Sequence, residues 1–95
     1  MSDIEAIRRA VASAAAHYPI RRVDLFGSYA DGTARRGSDV DLLVEFSEQP
    51  VSLLKICGFQ AAVAELLKLD VDVVKLPIKP DSGLVIERRV SLYAR

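Results

Sequence analysis

Ninety-five residues with thirteen basic and thirteen acidic side chains carry no net formal charge, so the chain lacks the basic surplus that broad DNA or RNA binding requires. That length fits one domain, residues 1–95, and 51% hydrophobic residues can fill its thin core without disulfides. The lone Cys57 excludes an internal bridge, no apolar run reaches the ~20 residues of a membrane span, and MSDIEAIRRA is not a signal peptide, so a cytoplasmic protein is expected.

Ser2 followed by Glu5 is a capping-box pattern, and Ile4, Ile7, Val11 and Ala14 follow at helical spacing. A helix is expected from about Asp3 to Ala16, ending before Tyr18-Pro19. His17, the single histidine, falls at its C-terminal end, where a surface position is expected. Ile20 to Phe26 reads as a strand stopped by Gly27, and Tyr29 to Ala34 as a turn of helix. Arg35-Arg36-Gly37-Ser38 reads as a polar loop, and Val40 to Phe46 is the clearest strand. Val40, Leu42, Val44 and Phe46 share one of its faces; Asp39, Asp41, Leu43 and Glu45 share the other.

Ser52 to Lys68 is the second long helix, with Leu53, Cys57, Ala61, Ala64 and Leu67 as its apolar stripe, widened by Leu54, Ile56, Val63 and Leu66. Cys57 is accordingly expected in or near the core, and Gly58 is expected to weaken the helix by roughly 1 kcal/mol. Leu69 to Leu76 reads as a third strand, stopped by Pro77. Pro77 to Pro80 connects it to a last helix, capped by Asp81 or Ser82 and containing Val85, Ile86, Arg89, Val90, Leu92 and Tyr93. The expected fold class is α/β, in the α+β sense: a small mixed β-sheet with helices. The helical crossover suits a parallel second pair of strands, whereas length leaves the direction of the first pair open.

Strand periodicity gives Asp39 and Asp41 a common direction, with alpha carbons about 6–7 Å apart. Two ionised carboxylates at that spacing repel unless a cation lies between them, and Mg²⁺ takes one or two carboxylates while phosphates and waters complete its shell. Asp72 lies in an apolar strand, where an acid must be paired, exposed at an edge or bound to metal. If its strand lies beside the second, it completes the cluster. Asp-x-Asp alone equally describes a solvated strand end. Gly27-Ser28 directly after a strand lets backbone N–H groups approach a phosphate, or is an ordinary turn with Ser28 as the cap. Gly-Ser, ten residues, Asp-x-Asp and a third acid in the next strand form a compound pattern more specific than any of its parts.

The run FGSYADGTARRGSDVDLLVEF resembles the signature of polymerase-beta-type nucleotidyltransferases, and in particular the minimal nucleotidyltransferase (MNT) domains. The resemblance covers nearly the whole chain and implies a polymerase-beta-like nucleotidyltransferase fold. It implies that Asp39 and Asp41 hold two Mg²⁺ ions, that Asp72 binds one of them and helps deprotonate the attacking hydroxyl, and that Gly27 and Ser28 hold the β and γ phosphates of ATP. Arg35 matches a basic position that would offset phosphate charge, or is equally an ordinary solvated loop arginine, and Ser38 matches a position that caps or braces the loop carrying Asp39. The chain departs from the family at Asp31, where many members carry arginine; an acid there is expected to point away from the nucleotide.

Minimal domains of this type are commonly paired with an all-helical HEPN toxin. The resemblance thus implies an antitoxin that transfers AMP to a tyrosine of that partner and releases pyrophosphate, in a homo- or hetero-oligomer. Two alternatives stand beside it: an antitoxin that masks its partner by contact with little or no catalysis, and a small-molecule nucleotidyltransferase of the aminoglycoside-modifying kind.

Overall fold

The computed structural model describes residues 4–76 and 88–95. Helix α1 spans Ile4–Ala15 and buries Ile7, Ala10, Val11, Ala14 and Ala15, a stripe at helical spacing. Its expected cap at Ser2 and start at Asp3 lie outside the described residues. His17 is exposed in the turn that follows. Strand β1 spans Ile20–Phe26, the single turn of helix α2 spans Ser28–Asp31, and strand β2 spans Val40–Phe46. Helix α3, Leu53–Leu67, begins at Ser52, whose hydroxyl accepts the Lys55 N–H at 3.2 Å. Strand β3 spans Val71–Lys75 and strand β4 Val90–Ala94.

The four strands form one mixed sheet in the order β3-β2-β1-β4. The first pair, β1 and β2, is antiparallel; β2 and β3, joined through α3, are parallel; β4 runs antiparallel to β1. Register decides what each face carries. Leu25 lies opposite Leu42 and Val23 opposite Val44, while Val40 and Leu42 lie beside Val71 and Val73. All of these belong to the core against α1 and α3 except Val73, which packs half-buried against it; Phe59, Val63 and Leu92 complete the core. The other face carries Phe26 opposite Asp41, Asp24 opposite Leu43, and Asp41 beside Asp72. Burying five fully enclosed strand side chains on the core face (Val23, Leu25, Val40, Leu42 and Val44) stabilises by about 1.5–3 kcal/mol each.

Two expectations fail here. The expected last helix is, over its described part, strand β4: Val90, Leu92 and Tyr93 lie in a strand whose Val90 pairs with Leu25 and whose Tyr93 pairs with Val23. Asp81, Ser82, Val85 and Ile86, and the connection from Pro77 to Pro80, lie outside the described residues. The backbone of β1 has a second edge to satisfy, and β4 satisfies it; a short run with both spacings could have served either period. The expected stripe on α3 fails in part: Ile56, Val63, Ala64 and Leu67 do pack on the core, but its other members are exposed and Phe59 is not in it. Phe59 and Val63 are its buried residues, with Ile56 and Leu67 beside them, whereas Cys57, Leu53 and Leu54 are exposed. Cys57 is therefore not a core residue. Helix α3 is apolar nearly all round, so spacing alone cannot choose its inward face; the bulk of Phe59 does.

Gly58 is explained by packing. A Cβ there would stand 2.8 Å from the Tyr18 hydroxyl and 3.0 Å from Cε1 of its ring. Tyr18 in turn meets Phe59 edge-on, ring centres 6.0 Å apart. The glycine costs helix propensity and gains close approach of the turn before β1.

Candidate active site

The site is built at the end of β1 and the start of β2. Gly27 adopts φ 74°, ψ −156°, a region essentially reserved for glycine. A Cβ there would overlap Oδ2 of Asp41 and lie 3.1 Å from its Cγ. The turn therefore needs glycine twice, for its dihedrals and because Asp41 packs against its alpha carbon. Gly27 also caps α2 through its carbonyl, which accepts the N–H groups of Ala30 at 3.0 Å and Asp31 at 3.1 Å. Ser28 is the first residue of α2, not its cap, and no hydrogen bond engages its hydroxyl among the described residues.

The loop to β2 is held by its own polar groups. The Asp31 carboxylate accepts the Thr33 N–H at 3.0 Å and its hydroxyl at 2.5 Å. The Thr33 hydroxyl, then its N–H and the charge of Arg88, lower the Asp31 pKa. Asp31 is exposed and turned onto its own loop. Further on, the Ser38 N–H donates to the Arg35 carbonyl at 2.9 Å and the Arg35 N–H donates to the Ser38 hydroxyl at 2.8 Å. Gly37, at φ 86°, takes the third position of this turn. Ser38 thus braces the loop one residue before Asp39, while the Arg35 side chain is exposed.

Asp41 and Asp72 stand side by side in the parallel β2–β3 register, and Asp39 lies exposed just before β2. Burial raises the Asp41 pKa, and the charges of Asp72 and then Asp39 add to the rise. All three acids therefore share one end of one sheet face, close enough to feel each other. Among the described residues no group of three His, Cys, Asp or Glu side chains is arranged to hold an ion. The strands thus bring the acids to neighbouring positions, and the side chains do not close into a coordination shell. The donor chemistry still fits a divalent cation: hard oxygen ligands, with one carboxylate whose ionisation is disfavoured by its neighbours.

One residue escaped the sequence reading. Asp24, in the middle of β1, is 1% exposed. Arg22 Nε donates to its Oδ1 at 3.2 Å, and its Oδ2 lies 3.0 Å from Arg22 Nη2 and 3.1 Å from Arg89 Nη2. Oδ2 accepts no well-directed hydrogen bond despite both charges. The signal was present: an acid inside an apolar strand demands a partner, and Arg22 two residues earlier shares its face.

A glycine turn beside clustered acids at a sheet end is chemistry for phosphate and divalent cations, the class of a nucleotidyl-transferring enzyme. The pattern of the nucleotidyltransferase domain family matches residues 4–92, and the chain belongs to this family. It is similar to the protein adenylyltransferase MntA of Thermococcus cleftensis, 40% identical over 74 residues, 77% of this chain and 74% of that protein. A solved structure described as a minimal nucleotidyltransferase is 41% identical, with TM-score 0.69 over 83% of this chain and 84% of that one. The fold also matches a chain from the structure of a tri-AMPylated Shewanella oneidensis HEPN toxin in complex with an MNT antitoxin. There the TM-score is 0.69 at 18% identity, covering 97% of this chain and 73% of that one. Among the described residues no helix is long and apolar enough to cross a membrane.

Proposed function

We propose that this nucleotidyltransferase moves AMP from Mg-ATP to a tyrosine hydroxyl of a HEPN-type toxin and so acts as its antitoxin in the cytoplasm. The observation that carries the reading is the placement of Asp41 beside Asp72 across two strands, with Gly27 pressed against Asp41 at the phosphate turn. The name of the Thermococcus relative and the AMPylated toxin of the Shewanella complex support the donor and the acceptor.

Asp39 and Asp41 would hold two Mg²⁺ ions, with Asp72 a ligand to one. When bound, the ions supply charge neutralisation at the attacking and leaving oxygens. Gly27 and the Ser28 hydroxyl would contact the β and γ phosphates, with Arg35 adding positive charge and Ser38 fixing the loop. Asp72 would take the tyrosine proton as the phenolic oxygen attacks the α-phosphorus. The bond from the α-phosphorus to the bridging oxygen breaks, and pyrophosphate leaves.

The test is incubation with Mg-ATP and the candidate toxin, read by intact-mass spectrometry and pyrophosphate release. An AMP adduct on tyrosine is expected, reduced at least about 100-fold in Asp39→Asn or Asp41→Asn. Silencing of the toxin with no adduct would establish masking by contact instead, and a nucleotidylated small molecule would establish the aminoglycoside-type alternative.

A further inference from the structure

Asp31, Asp39, Asp41 and Asp72 all lie near the phosphate turn. A triphosphate adds several negative charges to the same corner, so its binding calls for cations on the protein as well as metal ions. One arginine reaches the turn from the far end of the chain. Strand β4 runs antiparallel to β1, with Val90 opposite Leu25. The residues before Val90 therefore run on past Leu25 toward the end of β1. Two residues of extended chain cover about 6–7 Å, which brings Arg88 level with Gly27. The backbone beside it is tied down, because Val90 is paired in the sheet and Arg89 Nη2 lies 3.1 Å from Oδ2 of the buried Asp24. Arg89 thus faces the acid-bearing side. Alternation along an extended chain turns Arg88 to the other side, where Ala30 of α2 joins the core.

Helix α2 registers the arginine. After the hydrogen bonds from Thr33, the charge of Arg88 helps to lower the Asp31 pKa. Asp31 stands directly over the turn, since its N–H donates to the Gly27 carbonyl at 3.1 Å. Thr33, which holds the Asp31 carboxylate, also donates its N–H to the Ser28 carbonyl at 2.9 Å. Single hydrogen bonds thus link Asp31 to Gly27 and Thr33 to Ser28, and a cation acting on Asp31 stands beside the turn. Arg88 is exposed, and among the described residues it closes no ion pair or hydrogen bond. The Asp31 carboxylate is spent on Thr33 instead. The N–H donors of Arg88 therefore remain for a ligand, and their planar fork matches phosphate oxygens.

We propose that Arg88 binds the triphosphate of the nucleotide from the β4 side of the Gly27–Ser28 turn. The inference rests on the nucleotidyltransfer reading and deepens it: β4 completes the phosphate site as well as the sheet. Arg88 is a binding residue; it moves no proton and breaks no bond.

Calorimetric titration with Mg-ATP tests this in the wild type, Arg88→Gln, Arg88→Lys and Arg36→Gln. Arg36 is exposed on the loop before β2 and controls for the loss of one positive charge near the site. Arg88→Gln is expected to bind Mg-ATP at least about tenfold more weakly at low salt while keeping a cooperative melt, and Arg36→Gln to stay within about twofold of the wild type. The Arg88→Gln deficit is expected to shrink as salt rises, because it comes from a charge pair. Should Arg88→Gln melt early, Arg88→Lys decides: with its melt intact it is expected to lose at least about twofold, since it keeps the charge without the fork. Wild-type affinity in Arg88→Gln, or in Arg88→Lys where that variant decides, overturns the proposal. An equal loss in Arg36→Gln overturns it too, by reducing the effect to bulk charge. A deficit that salt leaves unchanged assigns Arg88 to the base or sugar and also overturns it. No Mg-ATP binding by the wild type overturns the proposal and the nucleotidyltransfer reading together. The expected Arg88 deficit without AMP transfer to a toxin supports Arg88 and removes the toxin-modifying reading instead.

Discussion

Gly27 shows how tightly one residue binds turn and site together. Any side chain there meets the Asp41 carboxylate and must also adopt a glycine-only conformation. Gly27→Ala is expected to cost about 1–3 kcal/mol from strain alone and to displace Asp41. A fall in Tm together with lost AMP transfer would show it; full activity in the variant would show that the turn adapts. Asp41 makes a prediction of its own. Its pKa is raised by burial, Asp72 and Asp39, so its ionised form opposes folding in metal-free protein. That cost is absent below the ordinary aspartate range and complete once the pH exceeds the raised value. In EDTA, Asp41→Asn is expected to melt higher than the wild type at pH 7, with the gain shrinking as pH falls through the raised pKa. A constant difference across that window would contradict the cause. Lys68 caps α3 at φ 57°, where a side chain is strained. Lys68→Gly is expected to gain roughly 1 kcal/mol by equilibrium unfolding, since its exposed contact with Glu65 contributes little.

At the scale of elements, α3 shows a conflict that packing resolves. Gly58→Ala should add about 1 kcal/mol of helix propensity, but its Cβ would stand 2.8 Å from the Tyr18 hydroxyl. Overpacking costs about 1–3 kcal/mol, so a net loss is expected. In a Tyr18→Ala background the same change should stabilise. The double-mutant cycle measures this by urea melts, and additivity would disprove the contact. Element existence was legible in the sequence wherever one spacing dominated: α1 through Ile7, Val11 and Ala14, and β2 through Val40, Leu42 and Val44. It was not legible for β4, because Val90, Leu92 and Tyr93 admit either period. It was not legible for the face of α3, because Leu53, Leu54, Phe59 and Val63 surround the helix.

Across the whole molecule, zero net charge conceals segregation. Asp39, Asp41 and Asp72 gather at the β2–β3 side of the sheet, and Arg22 and Arg89 at the β1–β4 side. Mg-ATP is expected to raise Tm, by the equivalent of ~2.7 kcal/mol at a hundred times its Kd. Asp39→Asn/Asp41→Asn should abolish the rise that Mg²⁺ adds to ATP in a thermal-shift titration, and an undiminished rise would place the cation elsewhere.

The linear sequence by itself determined the local chemistry: a glycine turn after β1, two acids on one face of β2 from the period of two, a third acid in a later strand, and the family signature that joins them. These depend on neighbours in the chain, and strand geometry is enough to read them. The helical crossover already suited a parallel β2–β3 pair; only the tertiary structure decided the register that stands Asp72 next to Asp41, and that Asp41 packs on Gly27. It likewise decided that β4 closes the free edge of β1 and delivers Arg89 to the buried Asp24. Each of these pairs residues far apart in the chain, through backbone hydrogen bonds that local spacing cannot specify. The stretch from Gly27 to Asp41 thus contains most of the candidate site, but the sheet supplies its third acid.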